Sequence, residues 1–203
     1  VRLRELEADG IAGEIIFPQM APFGAGLMQY RHEVTPEQSL VGNRAYNHWL
    51  ADMCSKNPGR HAGVAIINVD DIKVAVNEVT EAHKMGLFGG VLLPTSTGPN
   101  PFYHDYKHYA PLWSVCEELS MPIHTHSGWS PDYGDLSTAT MMYISEVDMW
   151  AHRPFTALLW SGAFERHPKL KMVFTETGCG WILETLRVLK FKIDNPIFAH
   201  FMK

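Results

Sequence analysis

The stretch Met121-Pro122-Ile123-His124-Thr125-His126-Ser127-Gly128-Trp129 carries two imidazoles two residues apart in an otherwise apolar run. In an extended strand, side chains two apart project to the same face, so His124 and His126 point together, and a histidine at a strand's C-terminal end can ligate a metal ion. Two histidines do not make a site by themselves, since either could be a hydrogen-bonded interior residue. The loop that follows, 127–133, mixes polar and aromatic types suited to a small organic substrate, with Ser127, Trp129 and Tyr133 as the candidate contacts. A further candidate is Glu176, which ends the apolar run Leu170 to Thr175. A carboxylate there could move a proton or bind a metal, or it could cap the helix that follows. Cys179 lies between two glycines at that helix start, but a nucleophilic thiol needs a His or Asn partner, and none is identifiable. His104 and His108, interleaved with Asp105 and Lys107, read as a solvated surface, and Arg166-His167-Pro168 reads as the structural close of a helix.

The elements that position these residues alternate along the chain. Val1 to Ala8 reads as the last turns of a helix stopped at Asp9-Gly10, and Glu14 to Phe17 as a short strand closed by Pro18. Thr35-Pro36-Glu37-Gln38 supplies an N-cap, a proline at the first helical position and an acid in the first turn, opening a helix that runs toward Asn57-Pro58-Gly59. Strands are predicted at Gly63 to Ile67, Leu87 to Leu93, Met121 to His126 and Leu170 to Thr175. The intervening helices are predicted at Val69 to Lys84, from Pro111 through Leu119, at Arg153 to Phe164 and at Gly180 to Lys192. Nearly continuous apolar strands, each separated from the next by a helix, imply a parallel sheet covered by helices, an α/β fold. A dinucleotide-binding sheet would want a glycine-rich phosphate cradle after its first strand, whereas Phe17 is followed by Pro18-Gln19-Met20-Ala21-Pro22. Polar residues instead gather after strand C-termini, at Asn68 to Asp70, Thr95 to Ser96, His126 to Ser127 and Glu176 to Thr177, the active-site positions of a (β/α)8 TIM barrel. A complete barrel takes about 250 residues. The expectation is therefore one domain over residues 1–203, an incomplete barrel lacking its first and last strands.

Composition bounds the partners. With 17 Lys plus Arg against 22 Asp plus Glu in 203 residues, the formal charge is −5, opposite to what nucleic-acid binding favours. No apolar run approaches the roughly 20 residues of a membrane-spanning helix, so no membrane partner is expected. Three scattered cysteines fit neither a disulfide framework nor a cysteine-rich zinc module, and a reducing, cytoplasmic location is expected. The start Val1-Arg2-Leu3-Arg4-Glu5 is neither an initiator methionine nor a signal peptide, which reads as an internal piece of a longer polypeptide.

Several stretches together resemble the amidohydrolase-related proteins of the aminocarboxymuconate semialdehyde decarboxylase type. They are Leu6-Glu7-Ala8-Asp9-Gly10-Ile11; Leu112-Trp113 with Glu117-Glu118-Leu119 and Met121-Pro122 leading to His126; Ser161 through Lys171; and Glu176-Thr177-Gly178-Cys179-Gly180-Trp181. The resemblance implies a barrel holding one divalent metal ion, usually zinc, through an H-x-H pair on the first strand, a His on the fifth and an Asp on the eighth. The five strands then become strands two to six, which makes His126 the metal ligand and leaves His124 one step deeper. Glu176 stands where the family's sixth strand often ends in His, and this departure favours water activation over holding an anionic substrate. The expected function is a metal-dependent hydrolase of a small organic molecule, with Glu176 and His124 as catalytic residues. The alternatives are a metal-dependent decarboxylase of the same family and, since neither a first-strand H-x-H nor a last-strand Asp is present, a metal-free binding barrel. A homo-oligomer is expected from the family and from Trp113, Trp150, Trp160 and Tyr109, which exceed what one barrel readily houses.

Overall fold

The computed structural model describes residues 2–18 and 34–199. The chain order is α1 (Arg2–Ala8), β1 (Glu14–Ile16), α2 (Pro36–Ser55), β2 (His61–Ile66), α3 (Ile72–Lys84), β3 (Gly90–Leu92), α4 (Tyr106–Glu118), β4 (Ile123–His126), α5 (Ala139–Trp160), α6 (Ala163–Arg166), β5 (Met172–Thr175), α7 (Gly180–Asp194) and α8 (Pro196–Ala199). The five strands pair in parallel and in sequence order, β1-β2-β3-β4-β5. Each crossover thus advances one strand in the same direction, and because parallel crossovers are right-handed, all the helices fall on one face and the sheet curls into a half-barrel.

Both faces of the central strands are buried. On the helix-covered face, Ala65, Val91 and Ile123 pack with Leu50 of α2, Val79 of α3, and Leu112 and Trp113 of α4. On the inner face, Ile66, Leu92, His124 and Val173 form one row, because each is the in-register partner of the next. The first three are buried, as in the layered filling of a barrel interior, whereas Val173 on the last strand is exposed.

Local chemistry explains where helices begin. The Thr35 hydroxyl accepts from Gln38 N and the Gln38 side chain returns to Thr35 N, so the expected start of α2 is a complete capping box. Asp71 caps α3 through Lys73 N and Val74 N. Two expected starts are corrected: α4 begins at Tyr106 rather than Pro111, and α5 at Ala139 rather than near Arg153. In both, a proline read as a first-turn residue sits inside the helix, where it forfeits one backbone bond. In α4 that loss is offset by the Asp105 cap on His108 N and by burial of Tyr109, Leu112 and Trp113. His108 consequently lies on a helix, half-buried with its ring against Tyr109, and is not the surface residue expected. Trp113 and Tyr109 are 0% exposed and belong to the core, so they lend no support to an oligomer interface. Cys54 and Cys116 are buried, Cys179 is exposed, and all three are free thiols. No helix among the described residues is long and apolar enough to cross a membrane.

Candidate active site

His126 ends β4 opposite Thr175 of β5, so the residue after Thr175, Glu176, emerges beside it. The gap from His126 Nε2 to Glu176 Oε2 is 3.5 Å, and the Ser127 hydroxyl donates to the same carboxylate oxygen at 3.4 Å. His126 is nearly enclosed, with 10% of its side chain exposed, whereas Glu176 is 73% exposed. The other ring nitrogen, Nδ1, lies 2.6 Å from Ser127 O. A carbonyl can only accept, so Nδ1 carries the hydrogen and, in the neutral ring, Nε2 presents a lone pair to the carboxylate. Two acceptors facing each other require a positive species, either a proton or a cation. An imidazole whose second nitrogen is fixed by a carbonyl is also the usual preparation of a metal-ligating histidine.

His124 is the deeper member of the pair. It is 2% exposed, and its Nε2 donates to Gly89 O at 2.7 Å, which leaves the buried Nδ1 without a partner. Burial lowers its pKa, only partly countered by the Gly89 bond, so the ring stays neutral. Gly90 makes room for it: at φ +115°, a Cβ there would lie 2.3 Å from Pro122 O and 2.9 Å from His124 Cδ2. Phe17, just past β1, lays its ring against both histidines, with centroids 5.1 Å from His124 and 5.3 Å from His126. The two imidazoles therefore share the inner face, as strand alternation dictates.

The loop residues have other company. Tyr133 donates to Glu146 of α5 at 2.5 Å and accepts from Trp150 Nε1 at 3.3 Å, while Trp129 meets the Trp150 ring edge-on at 5.4 Å. Tyr143 of α5 donates to Gly128 O. Trp129 and Tyr133 thus fasten the 127–138 loop onto α5, and of the three loop candidates Ser127 is the one bonded within the His126 and Glu176 cluster. The polar residues after the earlier strands serve elsewhere: Asn68 is tied to Ser39 and Asn43 of α2. His152 of α5, not singled out from the sequence, reaches the strand end that bears Glu176, with Nε2 3.3 Å from Thr177 O. It lies two residues before Pro154 and just ahead of the helix expected from Arg153, and no motif in the sequence flags it.

The donor set fits a divalent cation in part. His126 Nε2 and Glu176 Oε2 are near enough for one ion to meet both, but among the described residues no group of three His, Cys, Asp or Glu side chains is assembled to hold a metal.

A curled parallel half-barrel whose His126 and Glu176 cluster lies at the C-terminal ends of β4 and β5 has the architecture of part of a TIM barrel, with the cluster on the face where such barrels carry their active sites. The sequence profile of the family described as Amidohydrolase matches residues 17–192, and the chain belongs to that family. It is 29% identical over 175 residues to the gamma-resorcylate decarboxylase of Rhodococcus jostii, covering 78% of this chain and 50% of that one. Among solved structures, an amidohydrolase of Mycobacterium avium subsp. paratuberculosis superposes with a TM-score of 0.76 at 20% identity, over 95% of this chain and 52% of the other. A dihydroxybenzoic acid decarboxylase of Polaromonas sp., solved with bound manganese and 2-nitroresorcinol, superposes with a TM-score of 0.60 at 20% identity, over 85% and 52%. The chain spans about half the length of the curated relatives it matches. The curated relatives are decarboxylases, so the preference for hydrolysis drawn from Glu176 finds no support among them.

Proposed function

We propose that the whole protein is a metal-dependent carboxy-lyase acting on a small hydroxylated aromatic acid, and that β1 to β5 are strands two to six of its barrel. The observation that carries this reading is the His126 and Glu176 pair, two acceptors 3.5 Å apart at adjacent strand ends. The decarboxylase relatives supply the reaction type, and the manganese in the Polaromonas enzyme favours a divalent ion without selecting zinc.

When bound, a divalent ion would polarise the substrate's oxygens and stabilise the negative charge left as CO2 departs. His126 would hold it through Nε2, while its Nδ1 donates to Ser127 O and fixes the ring. Glu176, at the same oxygen that accepts from Ser127, carries the proton: the aromatic carbon that loses CO2 gains one proton, and the exposed carboxylate is reprotonated from solvent. Phe17, with the buried Ile66 and Leu92, forms the apolar floor below the site. His124 orders the floor through Gly89.

Incubating the full-length protein with a dihydroxybenzoate in labelled water tests the reaction type. Stoichiometric CO2 and a product carrying one solvent hydrogen are expected, whereas recovery of the acid unchanged, with no CO2 released in the presence of added manganese, would reject decarboxylation of this substrate class. A metal-free binding barrel is the second reading, favoured by the absence of a three-ligand group among the described residues. Metal analysis of the same preparation separates the two.

A further inference from the structure

Glu176 is held in an unusual backbone conformation. Its φ is +58°, the left-handed region that crowds the Cβ of any residue but glycine, and Gly178 follows at +62°. Such a turn persists only where its surroundings hold it.

Two side chains grip the two carbonyls that follow Glu176. His152, from α5, donates through Nε2 to Thr177 O at 3.3 Å, and Trp181, in the first turn of α7, donates through Nε1 to Gly178 O at 3.2 Å. The two rings stack on each other, 3.8 Å between centroids and 18° from parallel. Trp181 is in turn set edge-on against Phe155 of α5 at 5.6 Å and Phe174 of β5 at 5.0 Å. Three elements therefore converge on a pair of indole and imidazole donors, aimed at successive peptide oxygens of one strained turn. Thr177 is itself buried, so its carbonyl has little other recourse than the His152 hydrogen.

We propose that His152 and Trp181 are positioning residues that lock the β5 to α7 turn in its left-handed form, and so aim the Glu176 carboxylate at His126. This rests on the reading of Glu176 as the proton carrier. The role is separable into two physical parts, the donated hydrogen and the stacked ring. His152→Phe keeps the ring and removes the donor, while His152→Gln keeps a donor at the same reach and removes the ring.

The test pairs the backbone carbonyl 13C chemical shifts of Thr177 and Gly178 with turnover of a dihydroxybenzoate by the full-length protein. His152→Phe should move the Thr177 carbonyl shift upfield, toward that of an unbonded carbonyl, and lower kcat by up to roughly 100-fold, with KM changed by no more than about twofold. His152→Gln should restore both readouts most of the way. An unmoved Thr177 carbonyl in His152→Phe would overturn the proposal, as would His152→Gln behaving no better than His152→Phe. Trp181→Phe provides a second arm: it retains a stacked ring, loses the bond to Gly178 O and should move the Gly178 carbonyl shift in particular. If Glu176→Gln turns over normally while His152→Phe still moves the Thr177 carbonyl shift, the lock is upheld and the proton-carrying role of Glu176 is what fails.

Discussion

Two histidine and glutamate pairs bracket β5, one at each end, and they are built on opposite principles. Near the N-terminal end, His167 is 7% exposed and its Nδ1 donates to Glu117 Oε2 at 3.0 Å. The Tyr106 hydroxyl donates to its Nε2 at 3.1 Å, and the other oxygen of Glu117 accepts from Lys169 N at 2.8 Å. Every ring nitrogen and both carboxylate oxygens have a partner, and the cluster ties α4 to the loop entering β5. At the C-terminal end, His126 spends its hydrogen on its neighbour's carbonyl and faces Glu176 across 3.5 Å with a lone pair, while the carboxylate opens to solvent. The same two residue types make a clasp where the network closes and the proposed reactive site where it is left incomplete. This matches the division of a barrel into a stability face and a catalytic face.

The sharpest way to break this comparison is to delete each histidine. His126→Ala should abolish turnover and bound divalent metal together, exceeding the roughly 10- to 100-fold loss typical of residues behind a ligand, with the melting temperature little changed. Metal analysis beside calorimetry checks this, and retained metal would move the ligand role elsewhere. Glu176→Gln keeps the shape and removes the proton carrier, so turnover should fall at least about 100-fold while metal content is nearly kept. Loss of metal in that variant would make the carboxylate a ligand.

His167→Ala should do the reverse: it leaves Glu117 and the Tyr106 hydroxyl without their partner and should cost about 2 kcal/mol of stability by denaturant titration, with activity intact in the folded fraction. The clasp also has an acid limit. The Lys169 N–H, and after it the His167 ring, hold the Glu117 carboxyl below its ordinary pKa. A depressed carboxylate stabilises the fold fully above the unfolded value of about 4.3, and that contribution is lost as pH falls through the lower folded value. Glu117→Gln should therefore lower stability near neutrality, where that contribution is fully present, and flatten the acid side of the profile, with little change below the folded value, where it is already lost. The smallest effect belongs to Ser127→Ala. Its 3.4 Å bond to Glu176 is long, and turnover should drop by no more than about fivefold, since a weak hydrogen bond is worth about 1 kcal/mol or less.

Much of this molecule was legible in one dimension. The runs at 63–67, 87–93 and 121–126 announced buried parallel strands because a strand covered on both faces has no polar alternation to hide it, and the run at 170–175 announced the fifth strand, which is only partly covered. The shared face of His124 and His126 followed from strand alternation alone, and Thr35 to Glu37 declared the N-cap and first turn of α2, to which the structure adds the reciprocal Gln38 bond. These are local properties, set by backbone geometry and nearest neighbours. The starts of α4 and α5 were not local: Pro111 and Pro154 argue against helix, and burial of Trp113, Tyr109 and Leu158 overrides them. The approach of Glu176 to His126 depends on the register that sets His126 opposite Thr175, and that of His152 to Thr177 on how α5 packs over β5. The tautomers of the two strand histidines likewise come from Gly89 and Ser127 carbonyls that only the folded sheet brings into place. Sequence thus determined which residues could do chemistry and which face they share. Tertiary structure decided which acceptors were left facing each other, because hydrogen-bond partners far apart in the chain are chosen only when strands pair and helices pack.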